Sequence, residues 1–391
     1  MRFRLTQAAL IAAAGALATS GGIAATEPNP ETQLLTALDD LNRGQVETAW
    51  AGLDQLVRRT PNFRLARLYY GELEAARSGK APKDPLASND PDIQGLAEEA
   101  RVRLQQWHER IPQGTLPDVF LRLAKVHRHA VVVDLPRARL YLLEVSDGSM
   151  KVVKNFYAAS GKGGWGKRKG GDNRTPLGIY HVTGFLPDTK LPELYGAGAF
   201  PVSYPNVWDQ RLGYTGSGIW LHGVPRETYA RVPRSSEGCV TLANDDLLDL
   251  KPYLALGETP VVFTDSLAWR PPGSSGDLTA EFGTQVEKWR ARWSALDTDG
   301  YLAFYADDFE TDGMNKKAFS EHKRRVNAGK KKIEVKLDNV DLFRYPGNDG
   351  LMLAHFIQHY RSNNFQLDSE KDQFWRREKD GRWKIVKESS R

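Results

Sequence analysis

The sequence predicts a multidomain protein. An α-helical segment spans residues 31–115, a mainly-β domain spans 128–265, and an α+β domain spans 278–391, all behind a leader over 1–25. Three observations predict this arrangement. Apolar residues recur at helical spacing before about residue 107 and give way to short β-branched runs after 130. A stretch rich in proline, glycine and serine, residues 270–277, separates the last two blocks. The final block runs helices first and strands afterwards, the order of a separate α+β unit. A chain of 391 residues that is 40% hydrophobic and 26% charged has the length and the apolar content for two or three globular domains.

The leader begins with Arg2 and Arg4, continues through a small apolar run over 8–18 broken only by Gly15, and ends at Gly22-Ile-Ala-Ala25. Such a pattern is a secretory signal peptide cleaved after Ala24 or Ala25, and it is left out of fold reasoning. An uncleaved anchor helix is the alternative, against which the shortness of the run counts. No cysteine stands at the cleavage site, which excludes a lipoprotein. The expected location is the periplasm. The net charge of +5 suits an anionic partner such as a wall polymer, a membrane surface or nucleic acid, and export removes nucleic acid from that set.

In the helical segment Leu34, Leu35, Leu38 and Leu41 recur at helical spacing. After Gly44 come Val46, Trp50, Leu53, Leu56 and Val57, and after Pro61 come Phe63, Ala66, Leu68, Tyr69 and Leu73. The pattern resembles a tetratricopeptide-type helical hairpin with a third helix, with a plain helical bundle as the alternative. A further helix covers 90–107, with Asn89 or Asp90 near its start. In the middle block, strands are predicted over 130–134, 139–144, 151–157, 178–183, 218–221 and 260–264. One helix, 244–254, has Asn244 as its expected N-cap. Beyond the linker, helices over 286–296 and 301–305 precede strands over 333–343, 351–360, 371–378 and 383–388, with Gly381 turning the last hairpin. The linker composition predicts that the last domain can be cut away near Leu267 without unfolding the rest.

Three middle-block segments carry residues suited to nucleophilic catalysis: Gly171-Asp-Asn-Arg-Thr-Pro-Leu-Gly-Ile-Tyr180, Gly218-Ile-Trp-Leu-His-Gly223 and Ser235-Ser-Glu-Gly-Cys-Val-Thr-Leu-Ala-Asn244. Cys239 is the one cysteine of the chain, so an internal disulfide is impossible. A lone thiol is either a buried bystander or a reactive group. A reactive thiol needs a base and an exposed geometry. His222 ends an apolar strand, where its ring projects from the sheet rim. Gly238 lets the backbone before Cys239 approach a substrate closely, and the N–H groups of Gly238 and Cys239 are candidate oxyanion donors. On spacing alone, an unrelated core cysteine and histidine are the favoured reading, because such pairs are common by chance.

The three segments resemble the L,D-transpeptidase catalytic domain (YkuD-like) family over about 128–265. That family shows a Thr-Pro-x-Gly strand, here Thr175-Pro-Leu-Gly-Ile-Tyr180, a strand ending in His-Gly, here His222-Gly223, and a Ser-x-Gly-Cys motif closing on Asn or Asp, here Ser236 to Asn244. The resemblance implies a β-sandwich-like fold with a capping loop. Its implied reaction is acyl transfer at the L-to-D bond of a peptidoglycan tetrapeptide stem after the diamino acid. It makes Cys239 the nucleophile, His222 the base, and a backbone carbonyl, at Gly223 or in the loop before Cys239, the group that orients the imidazole. Ser236, Thr241, Asn244 and Tyr204 are the candidate substrate contacts. Two positions depart from the common pattern: Glu237 stands where many members have histidine, and Thr241 where many have arginine. The block from Val202 to Asp209 resembles a divergent subgroup with some hydrolysing members. The last domain, through Trp289, Trp293, Tyr301, Tyr305, Trp375 and Gly381-Arg-Trp383, resembles the SnoaL-like cone of the nuclear-transport-factor-two type. The whole architecture is similar to the cell-shape L,D-carboxypeptidases. Such cones also serve as bare binding or dimerisation modules, so a homodimer is allowed.

The acceptor follows as an alternative: an amine, on a second stem or on a wall-associated or outer-membrane protein, gives a transpeptidase, and water gives an L,D-carboxypeptidase. A catalytically inactive wall-binding protein is the third reading, for which Glu237 is the only hint. No cofactor or metal is expected. His355 and His359 share one strand face, but a metal needs a third and usually a fourth ligand, and His127 with His129 has the same shortage. His181, inside its strand, is a weaker alternative base. Lys162, Lys167, Arg168, Lys169 and Arg174 form a basic, glycine-rich loop, either solvated or a guide for stem carboxylates.

Overall fold

The computed structural model describes residues 28–80, 88–109, 111–146, 149–271, 273–274, 276–311 and 313–391; the leader lies outside them. Among the described residues no helix is long and apolar enough to cross a membrane. Four helices come first: α1 (Pro30–Asn42), α2 (Val46–Arg59), α3 (Arg64–Arg77) and α4 (Pro91–His108). The Asn29 side chain caps α1 and that of Asp90 caps α4, and a proline opens each of those two helices. Leu34, Leu38, Leu53, Leu56, Phe63, Leu65 and Leu96 form the core of this helical layer.

The central domain pairs two sheets. The larger has the order Ser149–Tyr157, Arg139–Ser146, His129–Asp134, Pro260–Thr264, Gly178–His181, antiparallel except between His129–Asp134 and Pro260–Thr264. The smaller has the order Val240–Thr241, Trp220–His222, Gly198–Pro201, Leu186–Pro187. Val131, Val133, Leu140, Leu142, Phe263, Phe200, Leu221 and Val240 fill the space between them. The run Ala130-Val-Val-Val lacks a polar alternation because both faces of its strand are covered. Val131 and Val133 meet the smaller sheet, while Ala130 and Val132 meet the C-terminal domain.

The C-terminal domain is a seven-stranded sheet with helices on one face. Its strand order is Met314–Asn315, Tyr305–Thr311, Trp383–Ser390, Gln366–Arg377, Leu351–Ser362, Ile333–Arg344, Phe120–Arg122. The last of these comes from the segment ahead of the central domain. After α5 (Val207–Arg211) and α6 (Asn244–Leu250) of the central domain, the C-terminal helices are α7 (Gly276–Ser294), α8 (Thr298–Leu302) and α9 (Lys316–Ala328). Phe282, Trp289, Trp293, Tyr301, Tyr305, Phe356 and Trp375 pack between sheet and helices.

Several expectations are corrected. The helix expected over 301–305 stops at Leu302, and Tyr305 already opens a strand. The α9 helix was not anticipated, because lysine and arginine crowd the positions around its buried Phe319. Ala243, not Asn244, caps α6. The linker does not separate independent bodies. The other face of the sheet packs on the catalytic domain, where Leu351, Leu353, Phe374, Tyr345 and Val386 share one core with Val132, Leu143, Ile179, Trp208 and Val262. Trp208 stacks on Phe374 with centroids 5.3 Å apart.

Polar contacts lock the same seam. His127 Nε2 lies 2.7 Å from Asp341 Oδ2 and its Nδ1 lies 2.8 Å from the Glu258 carbonyl. Both partners accept, so both ring nitrogens carry hydrogen and the ring is an imidazolium facing a carboxylate. Within the C-terminal sheet itself, His355 pairs with Asp372, and His359 lies between Asp338 and Asp368.

Candidate active site

The site is built on a two-strand parallel pair. Leu221 is in register with Val240 and His222 with Thr241, which brings Cys239 level with Trp220. Side chains alternate along a strand, so Leu221 and Val240 point into the core while Trp220, His222, Cys239 and Thr241 share the opposite face. The segments singled out in the sequence thus converge on one side of one strand pair.

The turn before Cys239 is held by side-chain hydroxyls. Ser236 Oγ accepts from the Gly238 amide at 3.1 Å and donates to the Cys239 carbonyl at 2.6 Å. Thr175 Oγ1 donates to the Gly238 carbonyl at 3.0 Å and accepts from the Gly161 amide at 2.9 Å. The Thr-Pro segment therefore serves as a brace under the nucleophile loop. Gly238 has φ +126, and a Cβ there would stand 2.8 Å from the Arg174 carbonyl, so only glycine fits. Its amide is engaged by Ser236, which corrects the expectation that Gly238 donates to an oxyanion.

A second chain of contacts fixes the histidine. His222 Nδ1 donates to the Gly223 carbonyl at 2.6 Å, which sets the tautomer and leaves Nε2 as an acceptor. The Asn244 amide holds that carbonyl's loop: Oδ1 accepts from the amides of Ala197 at 2.9 Å and Val224 at 3.1 Å, and Nδ2 donates to the Val224 carbonyl at 2.8 Å. A Cβ on Gly223 would meet Asn244 Oδ1 at 2.2 Å. Asn244 is thus spent on positioning, one step behind the histidine.

Electrostatics describe a neutral resting pair. Burial pushes the His222 imidazole down to about 4, opposed by the Gly223 carbonyl and assisted by the charge of Arg231. Burial pushes the Cys239 thiol up, opposed by the Trp220 amide and by the charges of Arg231 and Lys167. Cys239 Sγ donates to the Gly218 carbonyl at 3.3 Å, a bond that only the protonated thiol can make.

The remaining expected residues fall around this centre or outside it. Ser236 is buried in the turn, and Thr241, on the same face as His222, is 1% exposed. Tyr204 lies in the core and donates to the Thr215 carbonyl at 3.1 Å, away from the cysteine. The block around it supplies Trp208 and Asn206 to the seam, so its role there is structural. Glu237 is exposed, 3.6 Å from Lys162. His181 sits at the seam, its ring 5.8 Å from that of His355. In the basic loop, Asp172 binds buried Lys167 at 2.8 Å and accepts from the amides of Arg168, Lys169 and Arg174.

Two functional neighbours escaped the sequence reading. The Tyr195 ring meets the His222 ring edge-on at 4.9 Å and tilts against Trp220 at the same distance. Arg231 lies in the loop before the motif, and its charge is felt by Cys239 and His222. No spacing signal marks either residue, since both are brought in by loop closure.

Comparison with known proteins agrees with this geometry. Residues 128–263 match the L,D-transpeptidase catalytic domain (YkuD), and residues 281–389 match the Cds6 C-terminal NTF2-like domain. Among solved structures, Bd1075 of Bdellovibrio bacteriovorus is 28% identical with a TM-score of 0.62, covering 71% of this chain and 99% of that one. The helical cell shape determining protein Pgp2 from Campylobacter jejuni is 22% identical with a TM-score of 0.57, covering 75% and 99%, and shares the fold. No curated protein matches the chain. Residues 128–263 are thus a YkuD-family L,D-transpeptidase catalytic domain, followed over 281–389 by an NTF2-like domain of the Cds6 C-terminal type.

Proposed function

We propose that the protein is a peptidoglycan L,D-transpeptidase of the periplasm that uses Cys239 to cleave the diamino acid–D-Ala bond of tetrapeptide stems. The observation that carries this reading is the placement of Cys239 and His222 on one face of a parallel strand pair, with Nδ1 of the histidine already committed to Gly223. Sγ attacks the carbonyl carbon of the diamino acid while its proton passes to His222 Nε2. The imidazolium returns that proton to the departing amine of D-Ala as the C–N bond breaks, leaving a thioester. An amine acceptor then attacks the thioester, gives its proton to His222 and frees the thiol. Water in the acceptor's place yields a trimmed tripeptide stem, the L,D-carboxypeptidase outcome. The neutral resting pair fits proton transfer during attack, not a preformed thiolate.

The C-terminal domain offers a second place to hold the wall polymer. Its cavity of about 590 Å³ is lined by Trp293, Lys323, Gln358, Tyr360, Phe365 and Ser369. Three buried polar atoms at that cavity, Trp293 Nε1, Gln358 Oε1 and Ser369 Oγ, have no partner among the described residues. Orphaned buried groups of this kind are costly unless a ligand or water satisfies them.

The test incubates the full chain with disaccharide-tetrapeptide and identifies products by mass. A cross-linked dimer supports the transpeptidase, a tripeptide product moves the assignment to the carboxypeptidase, and no product rejects both. Cys239→Ala should abolish turnover, and His222→Ala should lower it by about 10²-fold or more.

A further inference from the structure

The basic side chains of the loops around Cys239 are nearly all engaged. Lys167 is buried against Asp172, Lys162 faces Glu237 and Arg174 donates to the Trp165 carbonyl. Arg226 pairs with Asp188 at 3.0 Å and Arg234 lies 3.9 Å from Glu98, while Arg168 and Lys169 stand in solvent. Arg231 differs. It is half-buried, yet among the described residues its guanidinium makes no hydrogen bond and no ion pair.

Its backbone, by contrast, is bolted from two sides. Tyr157 Oη donates to the Arg231 carbonyl at 2.8 Å, and the Ser160 amide donates to the Pro233 carbonyl at 2.7 Å. From the helical layer, the Asn62 carbonyl accepts from the Tyr229 amide at 3.1 Å, and Phe63 packs on the Tyr229 ring at 4.2 Å. Val232 sits against Gly95 of α4, where a Cβ would meet it at 3.2 Å. The loop is held rigidly while the one long cationic side chain at its centre is left unpaired. The strand Arg234–Ser236 that follows this loop pairs with Ser160–Gly161, and Ala159 bridges Thr241 of the site's strand pair, so the loop borders the site, and the charge of Arg231 is felt by Cys239, His222 and Tyr195 together.

A stem tetrapeptide ends in a free carboxylate one residue, about 3.8 Å of chain, beyond the attacked carbonyl. A site for it needs a cation close to the thiol but not bound to the protein's own acids. A guanidinium fits best, because its planar fork takes a carboxylate through two parallel bonds. Thr241, at the position where the family commonly has arginine, is buried and carries no charge.

We propose that Arg231 is the seat of the stem peptide's terminal carboxylate, and that by pairing with it the side chain restricts the site to stems ending one residue beyond the attacked carbonyl. This rests on the reading of Cys239 as the nucleophile for tetrapeptide stems. It is independent of whether an amine or water accepts the acyl group. The helical layer acquires a role through it, as the clamp that holds the Arg231 loop in place.

The experiment measures binding by calorimetry in the full-length Cys239→Ala protein, which cannot consume the peptide. The two ligands are a stem tetrapeptide and the same peptide with its terminal carboxylate converted to a carboxamide. The acid should bind about 10- to 100-fold more tightly than the amide, the range of one charge-assisted pair. Adding Arg231→Gln should erase that preference by weakening the acid alone, and Arg231→Lys should restore part of it. Because the guanidinium carries none of the fold's bonds, both variants should melt with the parent. The proposal is overturned if acid and amide bind alike or neither binds. It also fails if the preference survives Arg231→Gln, or if the variant melts lower and weakens both ligands equally. A preserved acid preference in a protein whose wild type makes neither dimer nor tripeptide would instead reject the reaction and leave the carboxylate seat standing.

Discussion

At the C-terminal domain the catalytic domain gives up apolar surface: Val132, Leu143, Ile179, Trp208 and Val262 are buried against Leu351, Leu353, Phe374 and Val386. At the helical layer it gives up charge. Glu31 of α1 binds Arg103 of α4 at 2.6 Å and Arg139 of the catalytic sheet at 2.7 Å, Glu99 binds Arg103 at 2.8 Å, and Arg103 lies over the Tyr157 ring at 3.6 Å. Asp246 of α6 lies within the same field. The apolar seam is non-directional and scales with area, so it should be strong and largely indifferent to pH. The ionic junction sets three carboxylates against two guanidiniums, so it should fix geometry while responding to pH. The first makes one body of two domains. The second lies against Tyr157, whose hydroxyl donates to the Arg231 carbonyl.

The largest expected effect separates these directly. A chain ending at Leu267 leaves the apolar face of the catalytic sheet bare. At about 1.5–3 kcal/mol for each large side chain exposed, a handful of them exceeds the roughly 5–15 kcal/mol that ordinarily stabilises a domain. That chain should be insoluble or should lack a cooperative melt, measured by near-ultraviolet circular dichroism. Within the full chain, Trp208→Ala should cost about 3–5 kcal/mol in urea unfolding, with the same loss at pH 5 and pH 8. A soluble truncated chain that melts cooperatively would break the comparison at its stronger end.

Next in size is the ionic junction. Burial alone would raise Glu31, but Arg139 and Arg103 outweigh it and bring the carboxyl to about 2. A depressed carboxyl contributes stability that is fully present above its ordinary value near 4.5 and is lost as pH falls toward 2. Glu31→Gln leaves two buried guanidiniums short of a partner and should cost about 3 kcal/mol at pH 7. The gap to wild type should close between pH 4.5 and 2. A gap that stays constant over that range would show that Glu31 acts by packing alone.

A smaller effect belongs to His127, which is bound across the apolar seam to Asp341. Burial lowers it, but the Asp341 carboxylate and the Glu258 carbonyl prevail and hold the imidazole above its ordinary value. Its contribution is present below about 6.5 and lost as pH rises through the elevated value. His127→Ala should cost about 2 kcal/mol at pH 6 and less at pH 8, since Asp341 keeps its bond from the Ala124 amide. An equal loss at both pH values would mean that the ring is not charged in the seam.

The legibility of these features in the sequence followed their periodicity. Strands such as Pro260–Thr264 and helices such as α4 were placed because their apolar spacing is local. Cys239, His222 and their glycines were visible because close backbone approach demands particular residues at fixed offsets. What stayed hidden was long-range. The residues 270–277 read as a tether, yet the sheets on either side of it share a core that only the doubly buried run at 130–133 hinted at. Tyr195 and Arg231 sit in loops, where no period announces a neighbour. Tyr204 and Asn244 were read as substrate contacts because they fall in or beside motifs, whereas their polar atoms are spent inside the fold. A motif marks that a residue matters to the site's shape, and contact with substrate does not follow from it.

The smallest expected effect tests the ionic junction at its most finely balanced group. Asp246 stands in the first turn of α6, half-buried, and burial together with Glu31 pushes its carboxyl up to about 7 despite Arg103 and Arg139. A carboxyl raised in this way favours the folded state most below its ordinary value near 3.8, and that advantage is lost as pH rises through about 7. The wild type should therefore lose stability between about pH 4 and pH 7, and Asp246→Asn should remove that slope. The gain at pH 8 is limited, because an ionised aspartate in a first helical turn is itself favoured by about 0.3–1 kcal/mol, and the asparagine forfeits it. A rise in melting temperature of a few degrees at pH 8, with little change at pH 4, is the expected reading. Because α6 also carries Asn244, which holds the Gly223 loop, the slope should appear in peptide binding by the Cys239→Ala protein as well. If Asp246→Asn retains the wild-type slope between pH 4 and pH 7, the pH response of this junction does not originate in its excess carboxylate.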